Sequence, residues 1–459
     1  MNTTSINWFD DATFYHIYPL GLCGSPARND FSSPPVERLN RIGEWIPHLQ
    51  SLGVDALYLG PLFSSSTHGY DTADYYHVDQ RLGTNETLAR LVQQLHAAGI
   101  RVVLDGVFNH VGRDFWAFRD VRQNGESSRY VNWFQGIRFG VSSPMGDPFT
   151  YETWNGHYEL VRLNLYNPET RQHILEAVRH WMADFGIDGL RLDVADCLDL
   201  NFQRELADFT RSLRPDFWLM GEVIHGDYRQ WANPDILHSV TNYECYKGLY
   251  SSLVDRNYFE IAYALNRQFG EGGIYRHLQL YNFVDNHDVD RVASKLNNPQ
   301  HLPLVYGLLF TMPGIPSIYY GSEWGIQGGR TSHSDADLRP ALDIRQAGVW
   351  GQSDDLLNRI QKLAHLRKSL PALRLGGYRQ LAVQPQQLAF SRELGGEVVI
   401  AVFNAADDGI PMELRVPYPN GTQFVDRWNQ DEVFGVVDGK ICMDAVPPYG
   451  MRILCTKGS

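Results

Sequence analysis

The chain has 459 residues, 43% of them hydrophobic, and a formal net charge of −13. That length and composition allow a large buried core, and the acidic balance with scattered basic residues excludes a general polyanion binder, so nucleic acid is not an expected partner.

Short β-rich runs alternate with longer segments of helical period, the pattern of βα units around a parallel sheet. Phe14 to Leu20 reads as a first strand. Val36 to Leu52 places Leu39, Ile42, Ile46 and Leu49 on one helix face and ends at Gly53, and Val54 to Leu59 makes the second strand. A helix over Thr84 to Ala98, with Asn85 or Thr84 as N-cap, leads to strand three at Arg101 to Phe108. From Asn109 to Asn167 the alternation fails in a stretch rich in Gly, Trp, Phe and Ser, too long for an ordinary connection, and an inserted domain is expected there. Alternation resumes with a helix at Pro168 to Phe185, strand four at Gly189 to Val194, a helix near Leu200 to Leu213 and strand five at Phe217 to Val223. Candidates for strands six to eight are Ile236 to Val240, Leu278 to Val284 and Ser317 to Tyr320, with a helical stretch from Tyr246 to Phe269 and a last helix at Asp354 to Ser369.

After Leu375 the runs become short alternating strands such as Gln387 to Ser391, Val398 to Phe403 and Phe434 to Val437. The expected fold is an α/β (β/α)8 barrel, residues 1–108 and 168–374, with an inserted domain at 109–167 and a C-terminal antiparallel β-sandwich at 375–459. Met1 to Phe14 has no basic stretch leading into an apolar core, and no window has the apolar length of a bilayer span, so no membrane partner and a cytoplasmic location are expected. Cys23, Cys197, Cys245, Cys442 and Cys455 are dispersed without C-x-x-C spacing, which predicts buried free thiols rather than disulfides or a structural zinc.

In such barrels reactive groups sit at the carboxyl ends of strands. Four strand ends here carry charge: Asp105 with Asn109 and His110, Arg191 with Asp193, Glu222, and His287 with Asp288. Arg191 and Asp193 are two apart, so both project from one side of their strand. Several carboxylates in one cleft repel and cost stability unless chemistry needs them. Carboxylates with two His, an Arg and aromatic neighbours suit glycoside hydrolysis, in which one carboxylate attacks carbon and another protonates the leaving oxygen. On this reading Arg191 holds the Asp193 pKa down, and burial between Met220 and Val223 raises that of Glu222.

The runs Asp105-Gly106-Val107-Phe108-Asn109-His110, Gly189-Leu190-Arg191-Leu192-Asp193, Gly221-Glu222-Val223 and Phe283-Val284-Asp285-Asn286-His287-Asp288 stand in the order and approximate spacing of a known family. Over essentially its whole length the chain resembles the α-amylase superfamily of retaining glycoside hydrolases. The resemblance implies that Asp193 is the nucleophile, Glu222 the acid/base, and Asp288 the third carboxylate that binds sugar hydroxyls. It further implies that His110 and His287 bond the same sugar, that Arg191 is the arginine beside the nucleophile, that Asp105 organises the site, and that Tyr70, in Gly69-Tyr70-Asp71, is the sugar's stacking platform. Arg339, in Asp337-Leu338-Arg339-Pro340, either contacts substrate or pairs with Asp335 or Asp337.

Asn109 occupies the position of a family calcium ligand. However, Val194-Ala195-Asp196 replaces the Lys-His pair that calcium-dependent members place after the nucleophile, and the loop from Cys23 to Val36 lacks a run of oxygen ligands. No cofactor is expected to be required. The stretches around Tyr70 and Leu200 to Tyr250 resemble cyclomaltodextrinases, maltogenic amylases and neopullulanases, which usually carry an extra N-terminal β domain that builds their dimer; this chain starts almost directly at strand one, which leaves the oligomeric state open. The implied activity is hydrolysis of α-1,4 bonds in maltooligosaccharides, cyclodextrins or starch-derived glucans. The alternatives are a glucanotransferase or disaccharide-converting enzyme using the same intermediate, with Trp154, Phe134 and Trp324 as acceptor-site candidates, and a non-catalytic carbohydrate-binding homologue.

Overall fold

The computed structural model describes residues 7–331, 334–350 and 354–457, so the first six residues of the Met1 to Phe14 stretch and the last two of the C-terminal unit lie outside the described residues. Eight parallel strands build a barrel: β1 (Phe14–Ile17), β2 (Ala56–Leu59), β3 (Arg101–Gly106), β4 (Gly189–Leu192), β5 (Trp218–Gly221), β6 (Ser239–Val240), β7 (Tyr281–Phe283) and β8 (Ile315–Tyr319). Their hydrogen-bonded order is β6-β5-β4-β3-β2-β1-β8-β7. A parallel bridge between Thr241 and Tyr281 joins the two ends, so the sheet closes on itself and keeps no exposed edge. The fold is a (β/α)8 barrel.

Side-chain alternation along these strands sorts the core into two shells. Val102, Leu104, Leu190, Leu192 and Leu219 point outward under the helices. Phe14, Tyr58, Val103, Trp218, Met220, Tyr281, Phe283 and Ile315 fill the barrel interior as a separate cluster. Asp105 follows Val103 by two residues and Glu222 follows Met220 by two, so both are carried inward above that plug. Arg191, between the outward Leu190 and Leu192, is in register with Asp105 on one side and Met220 on the other. Below it Gly189 leaves room for Trp218, because a Cβ there would lie 2.6 Å from the Trp218 carbonyl oxygen.

Several elements are shorter than their periodicity predicts, for local reasons. β1 stops at Ile17 because Pro19, with no amide hydrogen for the sheet, opens a helical turn over Pro19–Leu22. The helix expected over Val36 to Leu52 is two pieces, Asn40–Gly43 and Ile46–Ser51; Pro47 cannot donate to the carbonyl of Gly43, and the ladder breaks between them. The stretch from Tyr246 to Phe269 is also two helices, Tyr243–Val254 and Phe259–Phe269, parted where Arg256 takes φ +52°. Thr84 caps the helix Asn85–Ala97 by accepting the Thr87 N–H. One helix, Leu302–Thr311, escaped the periodicity because it is apolar all round: only Pro303 is not buried.

Between β3 and the helix Pro168–His180, the strands His110–Gly112, Thr153–Trp154 and His157–Arg162 form a small antiparallel sheet beside the helix Trp116–Asn124. Phe115, Phe118, Phe134 and Phe149 are buried there. Beyond the helix Pro371–Leu375, a six-stranded antiparallel sheet faces a two-stranded one across a core that includes Ile400, Leu414, Phe424, Ile441 and Leu454. Cys23, Cys245 and Cys455 are buried as expected. Cys197 and Cys442 are exposed, contrary to expectation: in the strand Lys440–Val446 the inward positions go to Ile441 and Met443, and Cys197 lies in a surface turn after β4. Among the described residues, no helix is long and apolar enough to cross a membrane.

Two buried arginines secure the junction of the barrel with the C-terminal sheets, Arg392 from the C-terminal sheet and Arg367 from the barrel's last helix. Arg392 donates to the carbonyls of Thr311 and Leu373, each at 2.8 Å, and to that of Gly376. Arg367 donates to those of Phe310 at 3.0 Å and Leu373 at 2.8 Å. These carbonyls end helices, where unsatisfied acceptors gather negative partial charge. Replacing Arg392 with Met strands buried acceptors and is expected to cost roughly 2–4 kcal/mol of stability. Calorimetry checks this, and an unchanged unfolding midpoint contradicts it.

Candidate active site

The carboxyl ends of β3, β4, β5 and β7 deliver the charged residues to one point. Arg191 Nη1 lies 2.9 Å from Asp105 Oδ1 and 2.8 Å from Asp193 Oδ1, while its Nη2 lies 2.8 Å from Glu222 Oε2. One guanidinium thus holds three carboxylates from three adjacent strands, all of them buried. Asp105 Oδ2 also accepts from the hydroxyls of Tyr58 at 2.8 Å and Tyr70 at 3.1 Å, which fixes its orientation. The chain leaves β4 through Val194 at φ +40° and ψ +50°, a left-handed conformation that is costly for a β-branched residue. This turn aims the Val194 N–H at Glu222 Oε2, 3.1 Å away.

A second group stands opposite. Asp288 Oδ2 is 3.0 Å from His287 Nε2, and its Oδ1 accepts from Arg339 Nη2 at 3.1 Å. Arg339 also donates from Nε to the His287 carbonyl at 3.0 Å and pairs with Asp335 at 3.3 Å. Tyr70 stacks on His287 with ring centroids 5.5 Å apart and bonds its Nε2 through the phenol. His110 Nε2 sits 3.9 Å from Asp193 Oδ2 and has no hydrogen-bond partner among the described residues. All nine residues expected from the sequence, Tyr70, Asp105, His110, Arg191, Asp193, Glu222, His287, Asp288 and Arg339, therefore lie in this one connected cluster.

Residues 36–355 match the family model described as the alpha amylase catalytic domain, and residues 378–453 match the maltogenic amylase C-terminal domain. The chain belongs to the alpha-amylase family of glycoside hydrolases. It is 30% identical to a cyclomaltodextrinase of Geobacillus thermopakistaniensis strain MAS1, over 97% of this chain and 76% of that one. A solved cyclomaltodextrinase structure superposes with a TM-score of 0.86 at 30% identity, covering 98% of this chain and 78% of that one. The ligand-free cyclic alpha-maltosyl-(1→6)-maltose hydrolase of Arthrobacter globiformis gives a TM-score of 0.83 at 29% identity, covering 98% of this chain and all of that one.

In this alpha-amylase family member the cluster is short of positive charge: four carboxylates, Asp105, Asp193, Glu222 and Asp288, face the guanidiniums of Arg191 and Arg339. The expectation that Arg191 holds Asp193 below the usual carboxylate range is not met. Burial pushes Asp193 well up, and the nearby charges of Glu222 and Asp105 add to it against Arg191, whose guanidinium is divided among three partners. Glu222 is raised as expected, first by burial. Burial thus moves both groups the same way, toward the protonated form. Burial would raise Asp288 too, but His287 and Arg339 outweigh it and hold it well below its ordinary value. Burial pushes His110 down to about 3, so it is neutral.

Two further residues of the site escaped the sequence reading. Tyr58 orients Asp105 from β2, and the phenol of Tyr243, at the start of the helix after β6, lies 3.5 Å from Glu222 Oε1 and 3.3 Å from Asn286 Nδ2. Only their places just at or after strand ends mark them. Of the acceptor-site aromatics, Phe134 and Trp324 are buried, Trp324 against Trp45, His48 and Trp350. Trp154 is half-buried beside His110, 5.7 Å between rings.

The residues near Asn109 do not fit calcium. They line a cavity of about 480 Å³ that also holds Gln135, Arg162, Asp199, Asn201 and Arg204. Its one carboxylate, Asp199, already caps the helix Leu200–Leu213, and two guanidiniums face the space, whereas calcium needs six to eight oxygens with carboxylate charge among them.

A carboxyl whose folded-state pKa is raised gives stability that is present below its unfolded value near about 4 and is lost as pH rises through the folded value. Asp193 and Glu222 have that sign, and Asp288 has the opposite one. Glu222→Gln removes one raised carboxyl and should unfold at a higher temperature than the parent at pH 8, with the gap closing toward pH 4. An equal or lower unfolding temperature at pH 8 would refute this account of the cluster's charge.

Proposed function

We propose that the protein hydrolyses α-1,4-glucosidic bonds in maltooligosaccharides, cyclodextrins or starch-derived glucans with retention of configuration. The observation that carries the reading is the single guanidinium of Arg191 spanning Asp105, Asp193 and Glu222 beside the Asp288–Arg339 pair. Asp193 attacks the anomeric carbon while Glu222 protonates the departing glycosidic oxygen, and a glycosyl ester forms on Asp193. Glu222, now ionised, takes a proton from water, which opens the ester and restores both groups. Positive charge develops at the sugar ring in each transition state, and the surplus of carboxylate charge in the free site is complementary to it.

Asp288, kept ionised by His287 and Arg339, accepts from hydroxyls of the same sugar, with His110 and His287 as further hydrogen-bonding partners and Tyr70 stacked on its face. No metal enters either covalent step, and the protein works without calcium, in the cytoplasm. A second reading is transfer of the glycosyl group to a sugar acceptor. The half-buried Trp154 beside His110 offers an aromatic face at the nucleophile where such an acceptor would stack.

Glu222→Gln should lower turnover of maltotriose by several orders of magnitude while leaving maltotriose binding in place. An unchanged rate overturns the assignment of the acid/base. Parent enzyme with maltotriose should give shorter sugars only, at a rate that EDTA does not change; products longer than the substrate would favour transfer.

A further inference from the structure

Arg339 reaches Asp288 from a segment whose one regular element next to it, among the described residues, is the single turn Ala336–Leu338. A long side chain on such a segment has much rotamer freedom, so a grip on Asp288 needs a firm backbone beneath it. The segment is wedged between two glycines: a Cβ on Gly21 would stand 2.3 Å from the Arg339 carbonyl oxygen, and one on Gly328 would stand 2.2 Å from that of Asp337. Behind it lies Arg291, fully buried, three residues past Asp288.

Arg291 Nη2 donates to the Leu338 carbonyl at 2.9 Å, and Nη1 donates to the Tyr320 carbonyl at 2.6 Å and to Ser322 Oγ at 3.0 Å. Its own N–H donates to the Gly328 carbonyl at 3.0 Å. The Ser322 hydroxyl donates in turn to Asp285 Oδ2 at 2.9 Å, which also accepts the Val292 N–H at 2.9 Å. Tyr319 supplies a second donor to the Leu338 carbonyl at 2.9 Å, and its ring lies 4.4 Å from the guanidinium carbon. From the loop after β7, Arg291 therefore bonds backbone and hydroxyl groups on the chain after β8, and the residue it holds is the one before Arg339.

We propose that Arg291 is a positioning residue for the glycosidase site: oriented by Asp285 through Ser322, it locks the Leu338 carbonyl and so sets Arg339 against Asp288 and the His287 carbonyl. Asp285 then has a role of its own within the run from Phe283 to Asp288, as the anchor of this relay. The inference rests on the reading that Arg339 and Asp288 grip the sugar. It places a determinant of sugar binding on a side chain that substrate cannot touch.

A double-mutant cycle separates positioning from plain stabilisation. Arg291→Lys, Ser322→Ala, Arg339→Ala and the two pairings with Arg339→Ala are assayed on maltotriose, at a temperature where circular dichroism shows each folded. Arg291→Lys should lose kcat/KM by on the order of 10- to 100-fold, mostly in kcat, since small misplacement of a binding group has effects of this size. In the Arg339→Ala background it should cost less than about twofold, because the group it positions is gone. Ser322→Ala should show the same absorption with a smaller loss, and it carries the cycle if Arg291→Lys does not fold. A full loss that persists without Arg339, or a parental rate for both Arg291→Lys and Ser322→Ala, overturns the proposal. A parental rate for Arg339→Ala alone would instead overturn the role given to Arg339 itself.

Discussion

The guanidinium of Arg191 is shared by Asp105, Asp193 and Glu222, and the top of the barrel is arranged around that sharing. Three carboxylates converging above an apolar plug would repel one another, and removing Arg191 would leave them buried and uncompensated, a loss of about 3–5 kcal/mol. Arg191 can serve all three because β3, β4 and β5 are neighbours in register, so that Asp105, Arg191 and Met220 stand side by side and Glu222 follows one step above. Gly189 and Trp218 beneath it supply a floor that lets the guanidinium lie across the barrel interior. Lysine has one compact charge and no fork of donors, and would not span three acceptors.

That division also sets the electrostatics. Because Arg191 is spread over three partners, it does not offset burial at Asp193 and Glu222, and both carboxyls are pushed up. Asp288 escapes the shortage because His287 and Arg339 both bear on it. Two carboxyls pushed up by burial face one held low, and this asymmetry suits the acid, nucleophile and hydroxyl-binding roles proposed for them. It costs stability in the free protein, as sites built for a charged transition state do.

Much of the barrel was legible in the sequence because its strands are buried on both faces and read as short apolar runs between helical segments. The charged residues stood out for the opposite reason: Asp105, Arg191, Asp193 and Glu222 interrupt or end such runs. What was not legible depended on neighbours far along the chain. The helix Leu302–Thr311 has no polar face to give it a period, since it is buried throughout. The rise of Glu222 was legible from its apolar neighbours, but that of Asp193 followed from burial and from how many acids share one arginine, which no local motif reports. Tyr58 and Tyr243 look like ordinary core tyrosines until the fold brings their hydroxyls to Asp105 and Glu222. Arg291 is invisible for the same reason, because its partners Tyr320, Ser322 and Leu338 arrive from the loops after β8.

The account turns on Asp193 being the carboxylate that Arg191 presents to the sugar while Glu222 handles the proton. The most direct test is mass spectrometry of Glu222→Gln after exposure to α-maltosyl fluoride, whose leaving group departs without an acid and whose ester then lacks the base that would open it. One maltosyl group should be found on the peptide that contains Asp193. A maltosyl group on the peptide of Asp105 or Asp288, or release of fluoride with no adduct, would contradict it.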